Sequence, residues 1–102
     1  MGIEYHSILS EGIPSDSVKS VLSDISCSPR FTLIEQGLFS LKLKFSDPEE
    51  TSTWPEDIYL EVNCNEVYLL FHYGNLTTID NCVNEIEEVF ENHGIRISFT
   101  EV

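Results

Sequence analysis

The sequence predicts an α+β domain with a mostly antiparallel sheet, the element order β-α-β-β-β-β-α-β, and both helices packed on one face. Three observations predict it. Residues 38–45 and 58–73 alternate apolar and polar side chains at the two-residue period of half-buried strands. Val18, Val21, Leu22 and Ile25, and again Ile79, Cys82, Val83, Ile86, Val89 and Phe90, recur at helical spacing. Turn-forming residues separate these segments at Gln36-Gly37, Cys64-Asn65 and Gly94. The chain has 102 residues, 41% of them apolar and eleven aromatic. That suffices for one packed core, so residues 1–102 are read as a single domain and not as an acidic disordered segment.

Taken in order, Ile3 to Ser10 reads as a strand with Ile3, Tyr5, Ser7 and Leu9 on one side. Pro14-Ser15 opens a short helix with Ser15 as its expected N-cap, and Ser26 to Pro29 ends it. Phe31 to Glu35 and Leu38 to Phe45 form two strands around Gln36-Gly37, the second turning Phe39, Leu41, Leu43 and Phe45 inward. A loop, residues 46–57 (SDPEETSTWPED), follows; it is long for a compact domain, and such loops are often functional. Ile58 to Asn63 and Glu66 to Tyr73 make a hairpin whose two-residue turn, Cys64-Asn65, sets Val62 against Val67, Leu60 against Leu69 and Ile58 against Phe71. On its other face Glu61 meets Tyr68 and Tyr59 meets Leu70, with Asp57 expected near His72 and Lys42 and Lys44 near Glu61. The second helix is expected over Ile79 to His93, capped by Thr77 or Thr78 and stopped by Gly94; a last strand spans Ile95 to Val102.

Charge is the feature that bears on function. The formal net charge is -13, and twelve carboxylates lie between Phe45 and Ile95 without one lysine or arginine. A field of one sign repels nucleic acid and anionic lipid and speeds encounter with a basic partner. Glu85/Glu88, Glu88/Glu91 and Glu87/Glu91 are like-charge pairs at helical spacing, each costing about 0.2–0.5 kcal/mol. Glu87, Glu88 and Glu91 also crowd a helix C-terminus, where the dipole prefers cations. Lysines there would stabilise the helix, so stability alone does not choose this pattern; selection for solubility competes with a basic partner as its cause. Trp54, the only tryptophan, sits between Glu49-Glu50 and Glu56-Asp57. It reads either as an interface anchor or as a lid folded back over the sheet edge, pinned by Pro55. Tyr59 and Tyr68 read as interface tyrosines or as ordinary sheet-surface ones.

Other chemistry is not indicated. Cys27, Cys64 and Cys82 show no CxxC spacing, and His6, His72 and His93 form no ligand-spaced pair. There is no glycine-rich phosphate loop and no calcium-loop motif, so no cofactor, metal or small-molecule substrate is expected. The five basic residues, Lys19, Arg30, Lys42, Lys44 and Arg96, are too scattered for a nucleic-acid patch. No apolar run reaches the ~20 residues of a membrane span. The opening residues lack the pattern of a secretory signal, so a cytoplasmic location is expected.

Small size, acidity, this element order and an acidic loop and helix together resemble the immunity proteins of bacterial polymorphic toxin and contact-dependent growth inhibition systems. The resemblance implies a non-enzymatic, stoichiometric inhibitor that masks the active site or substrate groove of a cognate basic toxin domain, often a nuclease. The pool from which its contact surface is drawn is Glu49, Glu50, Trp54, Glu56, Asp57, Tyr59, Glu61, Tyr68, Glu87, Glu88 and Glu91. Two other readings stand beside it. One is an acidic nucleic-acid mimic or adaptor, such as a phage-encoded inhibitor, acting on a host nucleic-acid-binding protein; the other is a small enzyme using Cys27 or a carboxylate pair.

Overall fold

The chain is described here by a computed structural model covering residues 2–49 and 51–102. Its elements are β1 (Ile3–Ile8), α1 (Ser15–Ser26), β2 (Phe31–Gln36), β3 (Ser40–Phe45), β4 (Ile58–Asn63), β5 (Glu66–Phe71), α2 (Leu76–Asn92) and β6 (Thr100–Glu101). The order is the expected one, and the fold is α+β. The strands form one antiparallel sheet, ordered β2-β3-β4-β5-β1-β6. Val18, Val21, Leu22 and Ile25 of α1 and Ile79, Cys82, Val83, Ile86 and Phe90 of α2 share a single core with the inward residues of β3, β4 and β5. Both helices therefore cover the same face.

The β4–β5 hairpin pairs Val62 with Val67, Leu60 with Leu69 and Ile58 with Phe71, all six of them buried. A two-residue turn permits only this register to bury every apolar side chain, because a slip of one residue would turn them all outward. Cys64 takes the positive φ, 57°, that the turn requires.

Several boundaries differ from the sequence expectation, β1 ending at Ile8 and β5 at Phe71, and four of the differences have a clear local reason. Pro14 and not Ser15 is the N-cap of α1, and its carbonyl accepts the N–H groups of Ser17 and Val18. Leu38 and Phe39 lie on the turn before β3 and not in the strand, closed by the bond from Gly37 N–H to the Ser40 carbonyl. α2 begins a turn earlier than Ile79, because Asn75 Oδ1 accepts the Thr78 N–H at 2.9 Å and so caps the helix in place of Thr77 or Thr78. Replacing Asn75 with Ala should cost about 1 kcal/mol, read as a lowered urea midpoint with unchanged slope; an unchanged midpoint would mean that α2 starts independently of this bond. The last strand shrinks to two residues, since Ser98 N–H donates to Ser7 Oγ and Phe99 N–H to Glu87 Oε2. Amides committed to side chains cannot join the β1 ladder, although Ile95 and Ile97 still bury inward.

Candidate functional site

The loop of residues 46–57 is tied down by two side chains. Asp57 is 0% exposed. Its carboxylate accepts the Phe45 N–H at 3.0 Å, the Thr51 hydroxyl at 2.8 Å, and both the N–H and the hydroxyl of Ser52. Burial alone would raise its pKa, but the Ser52, Phe45 and Thr51 hydrogen bonds outweigh it and hold the group below the usual carboxylate range. Lys44, 3.8 Å from that carboxylate, donates to the carbonyls of Ser52 at 2.8 Å and Trp54 at 2.6 Å. The loop is thus a strap with an internal polar anchor, and Asp57 has no surface left to offer a partner. This departs from its inclusion among the candidate contacts. Nor does its carboxylate reach His72, whose N–H instead bonds the Asp57 carbonyl at 2.8 Å.

The strap carries Trp54 over His72, the rings parallel within 7° and 6.0 Å apart. Trp54 remains 58% exposed, so it folds back onto the sheet face and still presents one face of its indole outward. It lines a cleft of about 520 Å³ with Glu49, His72, Tyr73, Gly74, Asn75 and Thr78, at the N-terminal end of α2. Glu50 lies outside the described residues.

Folding divides the remaining candidates between two opposite surfaces. Tyr59, Glu61 and Tyr68 project from the sheet face away from the helices, where register sets Lys42 beside Tyr59 and Ser40 beside Glu61. Glu35, Glu56 and Glu61 of this face already have partners. Lys42 reaches Glu35 at 3.4 Å and Glu56 at 3.8 Å, and Glu56 is also 3.8 Å from His72 Nε2. The Tyr59 hydroxyl donates to Glu61 at 2.6 Å, and that bond, with burial and the nearby carboxylates, pushes its pKa up to about 12. Tyr68 is raised by burial and by its hydrogen bond to Glu4. The lysine-free stretch of sequence is therefore not a lysine-free surface: pairing of β3 with β4 brings Lys42 and Lys44 among its carboxylates. The expected position of these lysines near Glu61 is corrected to Glu56 and Asp57.

α2 is different. Glu85 bonds Ser28 and Arg30, and Glu87 holds the Phe99 N–H. Asp80, Glu88 and Glu91 are exposed, and among the described residues no ion pair or hydrogen bond engages them. No basic residue stands in the last turn of α2. Asp80 was not among the candidates from the sequence. It was legible as an acid four residues after Leu76 on the solvent side of the apolar stripe, once the helix start is placed correctly.

Residues bearing other chemistry are dispersed. Cys82 is buried in the core, whereas Cys27 and Cys64 are exposed at the end of α1 and in the hairpin turn. His93 pairs with Asp24 at 2.6 Å. Among the described residues no three His, Cys, Asp or Glu side chains converge to hold a metal ion, and no helix is long and apolar enough to cross a membrane. Comparison with protein-family models, characterised proteins and solved structures finds no match for the chain.

Proposed function

We propose that this chain is a stoichiometric inhibitor of a basic protein, acting as an immunity protein against a cognate cytoplasmic toxin domain of nuclease type. One observation carries the reading. On the sheet face Glu4, Glu35, Glu56 and Glu61 each have an internal partner, but α2 holds Asp80, Glu88 and Glu91 without one among the described residues, and Glu88 and Glu91 stand toward the helix end whose dipole disfavours anions. Unpaired anions along one helix supply a field for a positively charged groove, standing where phosphates of a substrate would lie. At the N-terminal end of the same helix, Trp54, Tyr73 and Leu76 are exposed and provide apolar anchors beside the acidic stripe. The contact set proposed is therefore Asp80, Glu88 and Glu91 with Trp54 and Glu49; Glu87 is taken up by the Phe99 N–H. Tyr59, Glu61 and Tyr68 belong to the opposite surface.

The test is to identify the protein that co-purifies from the native cells and to express its gene with and without this chain. The reading expects a basic partner that arrests growth alone and is neutralised one-to-one by the inhibitor. Its k_on should fall several-fold between low and physiological ionic strength while k_off changes little. A non-toxic host nucleic-acid-binding protein as partner, or an on-rate indifferent to salt, overturns it.

A further inference from the structure

We infer that β2 is a self-association edge, through which two copies of this chain pair antiparallel about a two-fold axis and join their sheets. The strand stands first in the order β2-β3-β4-β5-β1-β6 and, among the described residues, has no strand on its outer side. The opposite edge ends in the two-residue β6. Leu33 is 39% exposed although its ladder partner Leu43 is fully buried. It faces the core side and is uncovered only because the sheet stops there. Ile34 at 46% and Leu38 at 71% extend the apolar strip. An edge of this kind is a template for another strand.

Charge says which strand. Along the edge itself, residues 27–39 hold only Arg30 and Glu35, a formal charge of zero. The remaining residues carry the whole of the -13. Two copies meeting at β2 bring near-neutral regions together and leave their acidic parts outside the contact. A basic segment drawn by the acidic field gains nothing at this edge. An axis through Thr32 or Leu33 also sets the two Glu35 side chains at opposite ends of the contact, each still 3.4 Å from its own Lys42.

The register shift between Leu33 and Glu35 interrupts the regular ladder, so the paired segment is short. The dimer is accordingly a weak one whose population rises with concentration. It rests on β2 alone and is independent of the partner proposed for α2.

Sedimentation over a concentration series tests it. The wild-type mass should climb from 11.6 kDa toward twice that value. Ile34→Lys should hold it at the monomer, as should Leu38→Lys on the adjoining turn if the first variant proves unstable. Leu76→Lys adds the same charge at a distant exposed apolar site and should leave the dimer intact. Each lysine lowers the net negative charge, so lost dimer cannot be ascribed to greater overall repulsion. A monomer at every concentration up to about 1 mM, or a dimer abolished by Leu76→Lys and kept by both edge variants, overturns the inference.

Discussion

Replacing Asp57 with Ala should destabilise the fold by about 3 kcal/mol, among the larger effects a single substitution here can have. Four donors, from Phe45, Thr51 and Ser52, lose their acceptor, and Lys44 keeps a charge with no carboxylate beside it. Asp57→Asn preserves the shape and one acceptor oxygen, so it should cost roughly half as much. The single tryptophan makes the local consequence visible. With the strap released, Trp54 should leave His72, and its emission should shift toward that of solvated indole while the far-ultraviolet dichroism stays native. The same carboxylate sets an acid limit. Its pKa is lowered on folding from the ordinary 3.8, so below that value the unfolded chain binds the proton that the native state refuses. The stabilisation is complete above about pH 4 and is lost as pH falls through the folded value. Urea midpoints for wild type and Asp57→Ala should converge in that range; a constant gap down to pH 2, or a cost below about 0.5 kcal/mol, would mean that the anchor does not hold the loop.

Features governed by local period or by a single turn were legible in the sequence; those depending on which strands become neighbours were not. The β4–β5 register follows from two alternating runs and a two-residue turn, and both helical stripes follow from spacing; the register agrees pair by pair, and the stripes agree except at Val89, which is only partly buried. Asn75 was overlooked because Thr77 and Thr78 cap equally well on paper, and the choice rests on where the chain leaves β5. The role of Asp57 was hidden because its donors sit on β3 and across the loop, brought to it only when β4 lies beside β3. That same pairing carries Lys42 and Lys44 into the acidic region, beside Glu56 and Asp57. Counting charges along the chain overvalued the hairpin face, because sequence distance does not record where a neighbouring strand places its lysines.

Neutralising α2 should move stability and association in opposite directions. In the triple variant Asp80→Asn, Glu88→Gln, Glu91→Gln the Glu88/Glu91 and Glu87/Glu91 repulsions disappear, and the last turn no longer opposes the dipole. The fold should gain roughly 0.5–1 kcal/mol, read as a higher thermal midpoint. Association with the basic partner should slow by about tenfold at low salt, and the two proteins' on-rates should converge as salt screens the field. Glu56→Gln with Glu61→Gln is the matched control on the sheet face, where Lys42, His72 and Tyr59 already satisfy these acids; it should leave the on-rate within about a factor of two. A variant that is better folded and yet slower to bind cannot owe its defect to misfolding, which is why the pair of readouts decides the matter. If the triple variant binds as fast as wild type, or the control slows as much, the acids of α2 serve solubility and the surface that meets the partner lies elsewhere.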